Sequence, residues 1–290
     1  MKFEIIPVDH DTVGESPVWD AVEQALYWID QPKLRVRRYQ PASGAYREWF
    51  VPQAPGAIGL DGPGRLVAAL ADGFYRLDLG SGVCQPLATV KHAGPNIHMN
   101  DGRCDRSGRF VAGSGLLPRN DPDCSLYRLN PDGQVEVLRQ GINLTNGVCF
   151  SPAGDRMYYA DSRTGMLMVC DYDPAGATVG PARLFADTRP QGSVPDGATV
   201  DAEGAVWVAL IQNQVGTVLR FLPDGTLDRR LELPIPHVTS VCFGGPELDV
   251  LYATSLREGG RLRSEHPLAG ALVATSGLGV RGVAEGRFGG

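Results

Sequence analysis

The chain repeats one segment six times, and this repeat restricts the folds that are open to it. Each copy holds a short apolar run, a polar turn with Gly or Asp, and a second apolar run, as in GVCFSPAGDRMYYAD from Gly147. Alternating apolar runs joined by such turns indicate β-hairpins. The aligned turn residues, spaced by 41, 44, 46, 50 and 43 positions, are Asp20, Asp61, Asp105, Ser151, Asp201 and Gly244.

A further strand-like run often follows the hairpin, as in FYRLDL, SLYRLNP, LMVCDYD and TVLRFLP. A period in the forties with about four strands per repeat is typical of a propeller blade. We therefore predict an all-β fold, a six-bladed β-propeller with four-stranded blades around a central channel, in a single domain over residues 1–290. The alternatives are a β-sandwich array and an α/β barrel, but a barrel needs amphipathic helices, and no convincing 3.6-residue apolar stripe is present.

The run from Phe3 to Val8 has no partner in the first copy of the repeat. A propeller ring must be closed, and unpaired strand edges favour aggregation. We expect this run to form an outer strand that completes the last blade beside the C-terminal runs.

Composition excludes several classes of function. The formal net charge is −6 with no long Lys/Arg run, which argues against nucleic acid as a partner. The opening residues, MKFEIIPVDHD, lack the apolar core of a signal peptide, and no run approaches the ~20 apolar residues of a membrane span. None of the six cysteines forms a C-x-x-C pair, and several lie in apolar runs. These features predict buried, reduced thiols in a cytoplasmic protein with no membrane partner.

The position five residues before each aligned turn residue lies at the channel end of a predicted inner strand. Equivalent positions in a closed ring point toward one spot on the axis, so their side chains should converge. Four of the six carry a carboxylate or amide oxygen, and the full set is Glu15, Gly56, Asn100, Asn146, Asp196 and Thr239.

Two carboxylates and two amide oxygens at one point suit a hard divalent cation. Without a cation the carboxylates would repel each other. The set contains no His or Cys, which disfavours a structural zinc cage. We predict one divalent metal ion and leave Ca²⁺, Mg²⁺, Mn²⁺, catalytic Zn²⁺ and Fe²⁺ open. The alternative is that Asn and Asp cap turns here, as is common for these residues. Asp30 and Asp161, which end strand-like runs, could likewise face the channel or cap a turn.

The chain resembles the gluconolactonase family, which includes regucalcin-like proteins and bacterial sugar lactonases. The matching motifs are GESPVW, MNDGRCDRSGRFVAG, TNGVCFSPAGDRMYYADS, VPDGATVDAEGAVWVA and SVCFGG. They extend over nearly the whole chain in the expected order. The resemblance implies a six-bladed propeller that hydrolyses lactones with one divalent metal.

Matched residue by residue, the resemblance implies that Glu15, Asn146 and Asp196 are the metal ligands. It also implies that Asp196 donates and accepts the proton, and that Asn100 binds substrate near the metal. The family often has Arg where this chain has His98, and regucalcin-like members have a Glu in the loop that here reads GLLPRND. We expect His98 and Arg119 to contact the substrate in their place.

The function predicted from these features is metal-dependent hydrolysis of a sugar lactone to an aldonic acid. Two other functions remain open. The first is a calcium-binding regulatory propeller without catalysis, since the same ligands would serve both. The second is a metal-dependent esterase or phosphotriesterase.

Overall fold

The structure is a computed structural model that describes residues 1–116, 121–173, 175 and 178–289. It is a six-bladed β-propeller of six four-stranded antiparallel sheets, which confirms the predicted fold class. Within those ranges there is no α-helix and only one 3₁₀ turn, Arg189–Gln191. No helix among the described residues is long and apolar enough to cross a membrane.

Five blades follow one another along the chain, each written here from inner to outer strand. Blade 1 is β2 Gly14–Asp20, β3 Ala25–Asp30, β4 Arg35–Gln40 and β5 Ala45–Phe50, and blade 2 is β6 Pro55–Leu60, β7 Arg65–Leu70, β8 Gly73–Asp78 and β9 Cys84–Thr89. Blade 3 is β10 Ile97–Cys104, β11 Phe110–Leu116, β12 Cys124–Leu129 and β13 Val135–Ile142, and blade 4 is β14 Thr145–Phe150, β15 Arg156–Asp161, β16 Met166–Asp171 and β17 Arg183–Asp187. Blade 5 is β18 Pro195–Val200, β19 Val206–Leu210, β20 Gly216–Phe221 and β21 Leu227–Leu233.

Blade 6 combines both ends of the chain. Its strands are β22 Val238–Gly244, β23 Val250–Ser255, β26 Val273–Ser276 and β1 Lys2–Ile5, and the two-residue strands β24 Glu258–Gly259 and β25 Leu262–Arg263 form a separate hairpin. Because β1 pairs with β26 as the outermost strand, the predicted closure is confirmed, although the strand ends at Ile5 rather than Val8.

Each pair of neighbouring blades shares an apolar cluster, and six such clusters complete the ring. The seam between blades 6 and 1 contains Trp19 stacked on Tyr252, with ring centroids 5.5 Å apart. The burial of apolar surface between blades is the main force that holds such a ring together. All six cysteines are free and five are buried, as the sequence predicted.

Every inner strand has one extra residue close to its start. Its register with the second strand of the blade therefore shifts by one residue there. In β2 the shift falls between Glu15 and Val18, and in β14 between Asn146 and Cys149. A bulge of this kind bends the strand and redirects its side chains. The six bulges coincide with the six positions that the repeat alignment singled out.

The residues after β26 lie across the opposite end of the channel, where the hairpin turns are. The backbone N–H of Gly282 donates to the carbonyl of Leu248 in blade 6 at 2.7 Å, and that of Phe288 donates to the carbonyl of Leu60 in blade 2 at 2.7 Å. Between them, the carboxylate of Glu285 pairs with the buried guanidinium of Arg103 in blade 3. This tail therefore joins blades that are not neighbours and covers the turn end of the channel.

Candidate functional site

Glu15, Asn146 and Asp196 are each the second residue of an inner strand, at the end of the channel away from the tail. Asn146 and Asp196 are buried, and Glu15 is half-buried. Ser16 and Gly147, which follow two of them, have φ angles of +50° and +60°. Glycine adopts this left-handed conformation freely, whereas a serine pays a steric cost. A strained residue beside an acidic group indicates a position held for function.

Gly56 and Thr239 occupy the two remaining positions of the ring, and neither offers a free side-chain oxygen to a metal. A side chain at Gly56 would collide with the backbone, because its Cβ would lie 2.5 Å from the carbonyl oxygen of Met99. The hydroxyl of Thr239 donates to the carbonyl of Gly14 and contacts the hydroxyl of Thr254, so it links blade 6 to blade 1. Four positions of the ring therefore keep an oxygen-bearing side chain that could serve as a ligand.

The carboxyl groups of Glu15 and Asp196 form an acidic pair inside the protein. Burial raises the pKa of Glu15 well above its usual range, and the nearby charges of Asp196 and Asp101 raise it further. The pKa of Asp196 is raised well above its usual range for the same reasons, burial first and then Asp101. No Lys or Arg within the described ranges forms an ion pair with Glu15 or Asp196. The site therefore concentrates negative charge without a basic side chain to balance it.

Asp101 is a third carboxylate of the site, and sequence reasoning missed it. It is buried, and its Oδ2 accepts a hydrogen bond from the backbone N–H of Val148 at 2.9 Å, across the gap between blades 3 and 4. Simple alternation along β10 would point Asn100 and Asp101 to opposite faces, but the bulge between Met99 and Gly102 alters this pattern. The only signal in the sequence was its place directly after Asn100.

Asn100 and Asn146 are joined by hydrogen bonds. Nδ2 of Asn100 donates to the backbone carbonyl of Thr145 at 2.8 Å and to Oδ1 of Asn146 at 2.9 Å. Nδ2 of Asn146 donates to the hydroxyl of Ser162 at 2.8 Å. Both hydrogen bonds of Asn100 use its amide nitrogen, and its role in substrate binding stays a prediction.

His98 precedes Asn100 by two residues and is half-buried. Its Nδ1 lies 3.0 Å from the carbonyl oxygen of Met99. Because a carbonyl only accepts, Nδ1 carries the proton and Nε2 is the acceptor. The ring can therefore accept a hydrogen bond from a sugar hydroxyl. Arg119, the other predicted substrate residue, lies outside the described residues.

Asp30 and Asp161 anchor the loops that lead into two inner strands. Oδ1 of Asp30 accepts from the backbone N–H of Val13 at 3.2 Å, and Asp161 accepts from the backbone N–H groups of Asn143 and Leu144 at 3.3 Å. Of the two roles that the sequence left open, capping is the one observed. These carboxylates position Glu15 and Asn146 through the backbone.

The donor set fits a divalent cation that prefers oxygen. The carboxylates of half-buried Glu15 and buried Asp196 supply negative charge, and Oδ1 of Asn146 keeps one lone pair after accepting from Asn100. No group of three His, Cys, Asp or Glu side chains in the described part of the chain is arranged to hold a metal. A cation here would therefore need the amide oxygen as well as the two carboxylates.

The raised pKa values predict how the metal-free protein responds to pH. A carboxyl whose pKa is higher in the folded state binds extra protons there, so stability falls as the pH rises above the usual values of 3.8 for Asp and 4.5 for Glu. In EDTA, the free energy of unfolding should decrease by at least about 1 kcal/mol between about pH 5 and about pH 8. Urea unfolding should show a shallower decrease for Glu15→Gln/Asp196→Asn, whereas the exposed control Asp72→Asn should match the wild type. Identical slopes in all three proteins would contradict the acidic pair.

Comparison with known proteins identifies the family of this chain. A family model described as "SMP-30/Gluconolactonase/LRE-like region" matches residues 13–257. The chain is 35% identical over 280 residues to a 6-deoxy-6-sulfogluconolactonase of Pseudomonas putida, with 96% of this chain and 95% of that protein covered. It is 31% identical over 300 residues to regucalcin of Xenopus laevis, with 100% and 99% covered. The crystal structure of a calcium-binding protein, regucalcin, from Agrobacterium tumefaciens superposes with a TM-score of 0.91 at 27% identity, with 98% and 96% covered. The chain therefore belongs to the SMP-30/gluconolactonase/LRE-like family.

Proposed function

We propose that this protein is a divalent-metal-dependent lactonase that hydrolyses a sugar lactone to an aldonic acid. The observation that carries the proposal is the pair of carboxylates, half-buried Glu15 and buried Asp196, beside the oriented amide of Asn146 at the end of the channel away from the tail. Membership of a family with relatives named as lactonases supports it. A cytoplasmic location is part of the proposal and is supported by the six free thiols.

Glu15, Asn146 and Asp196 would hold the metal ion. When bound, the cation supplies Lewis-acid activation of the lactone carbonyl and stabilises negative charge on its oxygen. Asp196 would accept a proton from the attacking water. The water oxygen bonds to the carbonyl carbon, the ring C–O bond breaks, and the proton passes to the departing ring oxygen. Burial raises the pKa of Asp196, which makes its carboxylate a stronger base than an exposed aspartate.

Asn100 and His98 would orient the sugar. His98 lies two residues before Asn100 in β10. The amide oxygen of Asn100 and Nε2 of the neutral His98 ring are both acceptors. Hydroxyl groups of the lactone could donate to both and so fix the carbonyl in the reactive position. Placing the reacting groups in this way lowers the entropy cost of the reaction.

A calcium-binding protein without catalysis is the second candidate. It is favoured by the description of the Agrobacterium tumefaciens structure as a calcium-binding protein. The two functions share the same ligands and differ in turnover, so a rate measurement separates them.

The substitution Asp196→Asn tests the lactonase proposal. The side chains are nearly isosteric and the amide oxygen can still contact the cation, but the amide cannot accept a proton. At saturating metal, we expect thermal unfolding close to that of the wild type and a turnover number lower by at least ~10²-fold, the usual worth of a general base. The measurement is pH-stat hydrolysis of aldonolactones, with Asp72→Asn as the matched control of unchanged rate. If Asp196→Asn keeps the wild-type turnover number, Asp196 is not the general base. If the wild-type protein shows no turnover, the calcium-binding function without catalysis is favoured.

The finer proposal is that the substrate carries an anionic substituent. The loop of this chain has Arg119 and lacks the Glu of regucalcin-like members, which removes a repulsive charge and adds an attractive one. The Pseudomonas putida relative is named for a sulfonated gluconolactone, which supports the same substrate class.

Two substrates distinguish this proposal from a plain gluconolactonase. We expect kcat/KM for 6-deoxy-6-sulfogluconolactone to exceed that for gluconolactone by about 10-fold or more, the effect of a hydrogen bond to a charged group. Arg119→Gln should reduce the ratio, and added salt should reduce it too, since salt screens the attraction between opposite charges. Equal values of kcat/KM for the two lactones would overturn the proposal.

A further inference from the structure

We propose that Ser162 is a positioning residue that orients the side-chain amide of Asn146, so that its oxygen rather than its nitrogen faces the metal site. The inference rests on the metal centre of the proposed function. Asn146 is the one predicted ligand whose two terminal atoms differ in chemistry. A rotation of its amide by 180° would replace an oxygen ligand with an NH₂ group, which has no lone pair to offer a cation.

The orientation is fixed by a chain of hydrogen bonds that begins at a backbone carbonyl. The carbonyl oxygen of Thr145 can only accept, so the side-chain atom of Asn100 that lies 2.8 Å from it must be the nitrogen. The same nitrogen lies 2.9 Å from Asn146, and it can only donate. The atom of Asn146 that faces it must therefore be the oxygen, Oδ1.

Ser162 completes the chain on the other side of the amide. With Oδ1 toward Asn100, Nδ2 of Asn146 points to the hydroxyl of Ser162 and donates to it at 2.8 Å. Ser162 is only 2% exposed, so water cannot readily replace this acceptor. A buried NH₂ group without an acceptor costs about 1–3 kcal/mol. Ser162 thus gives the nitrogen a partner in the orientation that suits the metal.

The position of Ser162 is itself well fixed. Its backbone N–H donates to the carbonyl of Leu144 at 3.0 Å, two residues before Asn146. The preceding residue, Asp161, accepts from the backbone N–H of Leu144 and from the side chain of Asn143. Ser162 is therefore tied by hydrogen bonds to the segment that carries the ligand it orients.

A double-mutant cycle tests the inference, because a carboxylate has two equivalent oxygens and needs no orientation. Calorimetric titration of EDTA-stripped protein with MnCl₂ would measure metal affinity. We expect Ser162→Ala to weaken binding by about 10–100-fold, the usual effect of losing a group that orients a ligand. In the Asn146→Asp background, we expect the same substitution to change the affinity by less than about 3-fold. Ser255→Ala is the matched control, since this buried serine donates to the carbonyl of Ala271 away from the ligands.

The outcomes separate this inference from the function on which it rests. Wild-type affinity in Ser162→Ala, or an equal loss in both backgrounds, would overturn the orienting role and leave the metal centre intact. A wild-type protein that binds no Mn²⁺ would overturn the metal centre and the inference with it. Should Ser162→Ala fail to fold, as judged by thermal unfolding in EDTA, Ser162→Cys keeps a weak acceptor of similar shape and should give an intermediate loss.

Discussion

One extra residue in each inner strand controls how this propeller presents its chemistry. A regular strand would alternate its side chains between two faces, whereas the bulges direct neighbouring residues, such as Asn100 and Asp101, into the same region. Six bulges at one height place the oxygen-bearing side chains at one end of the channel. The cost is backbone strain, which is visible in the left-handed conformation of Ser16. The packing between blades must compensate for it.

The opposite ends of the channel differ in electrostatics. At the turn end, the buried charge of Arg103 is paired with Glu285 from the C-terminal tail. At the open end, Glu15, Asp101 and Asp196 lie together, and burial raises the pKa of each. A buried pair that loses one partner destabilises a protein by about 3–5 kcal/mol. The tail therefore matters for the fold, whereas the acidic end costs stability that a bound cation would restore.

The repeat in the sequence was sufficient to predict the blades, the closing strand β1 and the ring of aligned positions, because turn chemistry and alternation repeat with the fold. It could not show Asp101, since a bulge breaks the alternation on which such arguments depend. It could not show Ser162 either, because this residue follows the end of β15 and meets Asn146 only in the folded chain. The tail was also missed: residues 277–289 contain no copy of the repeat, and their contacts join blades that are distant in sequence. The sequence could not show whether Asp30 and Asp161 face the channel or cap a turn, because an aspartate at the end of a strand can do either.

The central claim is that the buried acidic ring binds one divalent cation through Glu15, Asn146 and Asp196. The most direct measurement is the metal content of protein that has been loaded with a divalent metal and passed through gel filtration, for the wild type, Glu15→Gln and the exposed control Glu48→Gln. We expect one ion per chain in the wild type and in the control. We expect a clear loss of bound metal in Glu15→Gln, because this substitution removes one of the two charged ligands. Metal content that is unchanged in Glu15→Gln, or absent from the wild type, would contradict the account.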